Sequence, residues 1–524
     1  MEEYSVDDPS LLLQAASDFA YYPSVQNDAS AKDFLDRFPI PVIINALQAK
    51  ADVPGLENTL VACLERIFST KYGASLIPLY LPFVQIGLKA DSQVVRYLAC
   101  KIVSCLLENW DEKSVSAVKL ISEYVLYPLL LDCLIDGNEQ VAAASMDAIK
   151  SLAGFPEGME IIFPANNNES THLRNLAARC SSLGRVRVLA LIVKLFSVST
   201  SVASAIHNSN LLSLLEAEVS NTDDILVTLS VLELLYELAE IQLGSEFLSR
   251  TTFLQLLSSI ISNTSNESII RSRAMMITGR LLSKDNIFMF VDESSVKSVI
   301  SAIDGRLGLL ESQDTDECEF ALEALGQIGT STQGATLLLS SSTPAARFVV
   351  ETAFDRKGRS RQLAALHALA NISGETRYEN NIVLDSNAEE ILRCSIYETA
   401  SKSSKLTPSG LFLSVLQQDT EIRLAGYGVI SGLVARPWCL MEVCSKQEII
   451  SMVTGAHTET TKIGMEARYN CCKAIHKAFT STKLMSDPSF SGIAAKLQEA
   501  ISGGPYLTRK HSEAQPAVMT AERF

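Results

Sequence analysis

DTEIRLAGYGVISGL (Asp419–Leu433) places Ala425, Gly426, Val429 and Leu433 three, four, seven and eleven residues after Ile422. Those offsets bring all five side chains to one stripe of an α-helix. The stripe mixes one branched residue with small ones, which lets a neighbouring helix approach closely. The same signature recurs at Val95, Val141, Val227 and Ile270, with looser copies at Val186, Cys318, Arg361 and Ile463. Successive anchors (95, 141, 186, 227, 270, 318, 361, 422, 463) are 46, 45, 41, 43, 48, 43, 61 and 41 residues apart. A period of roughly 40–47 residues is that of armadillo and HEAT repeats. The spacing predicts an all-α, armadillo/HEAT-type right-handed α-solenoid of about nine to eleven repeats. An anchored inner helix alternates there with a second helix, such as Ser201–Val219, Gly244–Ile261 or Leu440–Val453.

Three regions depart from the period. Residues 1–82 hold Pro23, Pro39, Pro41, Pro54, Pro78 and Pro82, which break long helices, and read as degenerate repeats or a cap. Within the array, 83–506, the long interval coincides with about 375–418 and its polar run ETASKSSKLTPSG, which reads as an inserted loop, mobile near Lys402–Ser409. Residues 507–524 turn polar and read as a disordered tail.

At 524 residues the chain exceeds one compact core. Hydrophobic residues make up 47%, too many for a largely disordered chain, and the net charge of −16 repels phosphate backbones. Nucleic acid is therefore excluded as a partner. Eleven scattered cysteines without a Cys-x-x-Cys pair read as free thiols. The acidic N-terminus MEEYSVDDPS is unlike a signal peptide, and Val188–Ile206, the longest apolar candidate for a span, carries Lys194. A soluble, intracellular, monomeric protein is expected, with sequons such as Asn168 and Asn371 unused.

Chemistry is searched for and not met. There is no phosphate loop, no His-Glu-x-x-His and no nucleophile elbow. Gly326 and Gly329 read as close-contact positions, His367 as a partly buried histidine, and Cys472 with His476 as a thiol beside an imidazole. No catalytic residue, cofactor, metal site or small-molecule substrate is expected, and the chain reads as no enzyme. One polar pattern recurs: Arg96, Arg187, Arg271 and Arg423 each follow an anchor, with Asp91 and Asp419 shortly before two of them. It reads either as a basic stripe gripping an acidic partner or as an Asp–Arg ladder between stacked repeats. The ladder is favoured, since an arginine fork suits carboxylate pairing. Exposed inner-helix positions such as Arg423 and Arg468 remain the candidates for partner contact. Trp110 and Trp438 end helices, packing being favoured over surface anchoring.

LESQDTDECEFALEALGQIGTSTQGATLLL (Leu310–Leu339), AGYGVISGLVARPWCLMEV (Ala425–Val443), MEARYNCCKAI (Met465–Ile475) and SGGPYLTRK (Ser502–Lys510) resemble, in matching order, the proteasome non-ATPase regulatory subunit 5 family. The resemblance implies a non-catalytic armadillo/HEAT solenoid of the cytoplasm, with the nucleus as a second compartment. It implies a chaperone for assembly of the 19S regulatory particle base. Such a chaperone binds the C-terminal domain of an AAA-ATPase subunit, in a module with a second ATPase and a large scaffold subunit, and is absent from the mature 26S proteasome. The alternative reading is a generic armadillo-repeat scaffold or transport adaptor. No Trp-plus-Asn repeat supports an importin-type adaptor.

Overall fold

The computed structural model describes residues 9–22, 27–49, 53–109, 117–164, 172–220, 224–310, 315–340, 344–378, 382–455, 458–482 and 490–506. Among them every regular element is an α- or 3₁₀ helix. The chain divides into two compact units, Met1–Gly244 and Ser245–Phe524. The expected tail, Trp110, Asn168, His457 and His511 lie outside the described residues.

All nine anchors fall inside helices. In the first unit these are α1 (Gln93–Glu108), α2 (Glu139–Ala153), α3 (Ser182–Phe196) and α4 (Ile225–Glu240). In the second they are α5 (Ser268–Leu282), α6 (Thr315–Ile328), α7 (Arg359–Ser373), α8 (Thr420–Leu433) and α9 (Lys462–Thr480). Consecutive members pack on one another within each unit. The caps fix where each stripe begins. The side chains of Ser92, Asn138, Asp224 and Asp419 accept from the amides of Val95, Val141, Val227 and Ile422, at 3.4, 2.9, 3.2 and 3.4 Å. Each such cap stabilises its helix by about 1 kcal/mol. The capped amide belongs to the first stripe residue, and Val141 and Ile422 are fully buried.

Two looser anchors sit one residue off. Thr461 caps Gly464, not Ile463, and Ile463 is 70% exposed. The buried stripe of α9 runs through Gly464, Arg468, Cys471 and Ile475; that of α7 through Gln362, Ala365, Leu366, Leu369 and Ser373. One residue is about 100° of helix. A template seeking an apolar first residue passes over the buried Gly464 for Ile463, while in α7 the alanines fit the offsets equally well from Arg361.

Each expected second helix is two. Ser201–Val219 resolves into Thr200–Asn208 and Ser213–Ser220, broken where Asn210 adopts a left-handed backbone (φ 49°). Gly244–Ile261 and Leu440–Val453 likewise divide, into Gln242–Ser249 with Phe253–Ser262 and Pro437–Ser445 with Gln447–Thr454. These repeats thus hold a short, a middle and an inner helix. Among the described prolines of residues 1–82, Pro39 is the N-cap of helix Ile40–Gln48, and Pro41 and Pro82 occupy first turns of Ile40–Gln48 and Leu81–Leu88, where a missing amide costs nothing.

The inserted loop is corrected too. The polar run continues helix Ser386–Lys402, and after a short link the chain re-enters helix Pro408–Leu416, packed on α8. Pro408 and Ser409 are buried, and the Ser409 amide donates to Glu442 at 3.2 Å. Serines within a helix bond back to carbonyls one turn earlier, as Ser401 does to Glu398. The long interval is extra helix; of the segment near Lys402–Ser409, Pro408 and Ser409 are packed, while the link 404–407 is exposed.

Candidate functional site

The recurring arginines point away from solvent. Arg271 meets Glu317 of α6 with both prongs, Nε–Oε1 2.9 Å and Nη2–Oε2 2.7 Å. Arg306, on helix Glu293–Leu310, grips the same carboxylate at 2.9 and 3.3 Å. Glu317 is 1% exposed. Burial alone would push its carboxyl up, but two guanidiniums hold it below its ordinary value. Arg187 donates to the carbonyls of Leu134, Ile135 and Gly137 at 3.2, 2.9 and 2.7 Å, closing the end of helix Leu126–Asp136. Arg96 does the same for Leu88 at 3.2 Å.

The ladder is therefore real in its arginines and different in its acids. Asp419 caps α8 and pairs with Arg359 at 3.2 Å. Arg423 instead pairs with Glu459, which also accepts from Tyr427 at 3.1 Å, and donates to the Gln418 carbonyl at 2.9 Å. Of the two aspartates before an anchor, Asp419 serves as a cap, and beside Asp91 it is Ser92 that caps. The carboxylates that answer the arginines lie in the next repeat, 46 and 36 residues on.

Of the two candidate contact residues, Arg423 is thus only 17% exposed and already bound. Arg468, expected on the surface, is 1% exposed because it occupies the buried stripe of α9. It donates to the carbonyls of Val453 at 2.8 Å and Pro505 at 3.5 Å. That second contact ties the Gly504-Pro505-Tyr506 ending to α9. Tyr506 also bonds Glu466, and its ring lies under Lys462 at 5.9 Å.

Two arginines outside the pattern perform the same task. Arg436, 2% exposed, is held by Glu389 at 2.6 and 2.9 Å and donates to the carbonyls of Ser373 and Gly432, both at 2.9 Å. Arg377 donates to the carbonyls of Gly329 at 2.6 Å and Ile372 at 2.7 Å. Burial, then the neighbouring Arg436 charge, lower its guanidinium to about 10. Neither follows an anchor, so nothing in the repeat pattern could have found them.

With the arginines withdrawn, the inner-helix surface of the second unit is formed by intervening residues. On α6 these are Phe320, 40% exposed, and Glu323; on α7, His367 and Asn371; on α9, Asn470 and Lys473. The surface mixes one aromatic with both charges and amides, suited to polar and stacking contacts with another protein. His367 reaches the surface, and the packing around its ring desolvates the imidazole and lowers its pKa. Cys472 is buried with its thiol toward the Leu497 carbonyl, and burial pushes it up to about 11, which makes it a poor nucleophile. All eleven cysteines are free. Trp438 packs against Tyr397 with ring centroids 5.7 Å apart. Among the described residues no group of His, Cys, Asp and Glu could hold a metal ion, and no helix is long and apolar enough to cross a membrane.

The family model described as "Proteasome non-ATPase 26S subunit" matches residues 59–523. The 26S proteasome non-ATPase regulatory subunit 5 of Bos taurus is 21% identical over 432 residues, covering 81% of this chain and 80% of that protein. Its Homo sapiens counterpart is 21% identical over 435 residues, covering 81% of each. Among solved structures, a designed armadillo repeat protein in complex with a (KR)4 peptide is similar over 49% of this chain and 95% of its own, at 13% identity and a TM-score of 0.36.

Proposed function

This chain belongs to the proteasome non-ATPase 26S subunit family, and from that premise we propose that it is a non-catalytic chaperone for assembly of the 19S regulatory particle base. Its partner in this reading is the C-terminal domain of an AAA-ATPase subunit, held in the cytoplasm and released before the proteasome is complete. The observation that carries the reading is the match across residues 59–523, which takes in every anchored helix. An array of this kind offers a broad, shallow surface, suited to a folded domain and poorly suited to enclosing a small substrate. Occupying an ATPase C-terminal domain would also mask the tail that inserts into the core-particle ring, which accounts physically for a factor that must leave.

The seat of binding is placed in the repeats from about 180 to 480, on intervening residues such as Phe320 and Glu323. Arg423 and Arg468 keep the helices in register beneath it. A pull-down with the purified full chain and each of the six ATPase C-terminal domains, without nucleotide, tests the proposal. One domain retained in preference to the other five supports it. Equal retention of all six, or of none by the folded chain, leaves the generic scaffold.

A further inference from the structure

The first unit contains a concavity that the repeat array does not explain. A cavity of about 330 Å³ opens between helices Ile40–Gln48, Leu56–Phe68, Leu81–Leu88 and α1. Its walls are apolar, with Ile44, Leu47, Leu64 and Phe68 among them, and at its lip Phe83 and Ile86 are 37% and 58% exposed. A volume of this order is that of a ligand pocket, well beyond a packing defect. It does not end blindly. Leu47, Glu57, Asp91 and Ser92 also line an adjoining cavity of about 540 Å³, so the two meet at those residues.

The charge at the junction has one sign. Glu57 and Asp91 are exposed, neither forms an ion pair among the described residues, and no described Lys or Arg lines either cavity. An apolar trough followed by two uncompensated carboxylates complements a segment with bulky apolar side chains next to a basic one. We propose that this groove is a docking site for an amphipathic, basic peptide segment of a partner protein. Its apolar side chains enter beside Ile44, Phe83 and Ile86, and its Lys or Arg lies between Glu57 and Asp91. Helix-in-groove recognition of this sort needs an apolar anchor row and a charge that sets direction. A second copy of this chain is a poor occupant, because the net charge of −16 opposes self-association through an acidic rim. The groove lies outside the repeats from about 180 to 480 in which the ATPase contact is proposed, so the site goes beyond that contact and does not depend on it.

The test uses the full chain and a fluorescent synthetic peptide with leucines on one helical face and lysines beside them, followed by anisotropy. A matched peptide carries glutamates for lysines. The wild type should bind the lysine form at least about tenfold more tightly than the glutamate form, and added salt should narrow the gap. Ile86→Ser should weaken the lysine form by about tenfold, while Glu57→Lys combined with Asp91→Lys should reverse the preference between the two peptides. All three positions are exposed, so thermal melts should stay close to wild type; if the double variant melts early, Glu57→Lys alone should still halve the preference or more. Equal affinity for both peptides, or a preference that survives charge reversal, overturns the proposal. So does a dimer in sedimentation that Ile86→Ser dissociates, which would assign the groove to a second copy.

Discussion

Gly326 of α6 lies so close to α7 that a Cβ on it would stand 2.8 Å from the Ala368 Cα, and Gly329 likewise faces Ile372. In the first unit, a Cβ on Gly87 of helix Leu81–Leu88 would stand 3.1 Å from the Ala99 Cβ of α1, yet beside that close approach the cavity stays open. Both regions carry the same apolar stripe. What differs is the residue at the crossing and what lies under it. Where glycine meets alanine and a buried Arg–Glu–Arg cluster spans the repeats, adjacent inner helices close against each other. Where prolines cut the chain into short helices, the apolar faces of Ile44, Phe83 and Ile86 are left without a full partner. Periodicity brings helices together; small residues and buried forks decide whether they seal.

That contrast can be broken by substitution. The largest effect is expected for Ile422→Asp in α8, a fully buried anchor. An unpaired carboxyl there should cost about 5 kcal/mol, read as a lowered urea midpoint or as insoluble protein; a near-wild-type midpoint would mean the stripe is not the core. Next comes Glu317→Gln, which leaves Arg271 and Arg306 facing each other without a charge between them and should cost about 3–5 kcal/mol.

Acid should act on the same cluster. Because Glu317 is held below the 4.5 of the free side chain, its contribution is complete above that value and is lost as pH falls through the lower folded one. Thermal melts of the wild type across that window should therefore converge on those of Glu317→Gln. If the two fall in parallel, the carboxylate is not the acid-sensitive element.

Gly326→Val tests the crossing itself. It should cost about 1–3 kcal/mol by overpacking against Ala368, and calorimetry should place the loss in the transition that Glu317→Gln also lowers. The smallest effect belongs to the open region, where Ile86→Ser should change stability by no more than about 0.5 kcal/mol. Were Gly326→Val as silent as Ile86→Ser, close approach would not be what distinguishes the two regions.

Much of this architecture was legible in one dimension. All nine anchors lie in helices, and the predicted close approach at Gly326 and Gly329 is met. Two misses are of register. An apolar template passes over the buried Gly464 for Ile463, and Ala364, Ala365, Ala368 and Ile372 fit the same offsets from Arg361, one residue out of register with the buried stripe that starts at Gln362. The signal that would have corrected α9 was local: Thr461 stands three residues before Gly464, as Ser92 and Asn138 stand three before Val95 and Val141. From that register Arg468 falls on the buried stripe and leaves the list of exposed candidates. The polar run Glu398–Gly410 was misread because serine and lysine report solvent exposure on one helix face as readily as a loop.

Composition and period by themselves determined an all-helical repeat chain and where its inner helices lie, because those follow from spacing along one helix, while the register of the buried face in α7 and α9 needed the structure. The ordered motifs determined the family. Which carboxylate answers which arginine was decided only in three dimensions: Glu317 and Glu459 lie 46 and 36 residues from Arg271 and Arg423, and no local pattern marks them. The open groove beside α1 was likewise invisible in sequence. It exists through what the surrounding helices leave unfilled, and an unfilled volume is a property of several segments packed together, carried by no one of them.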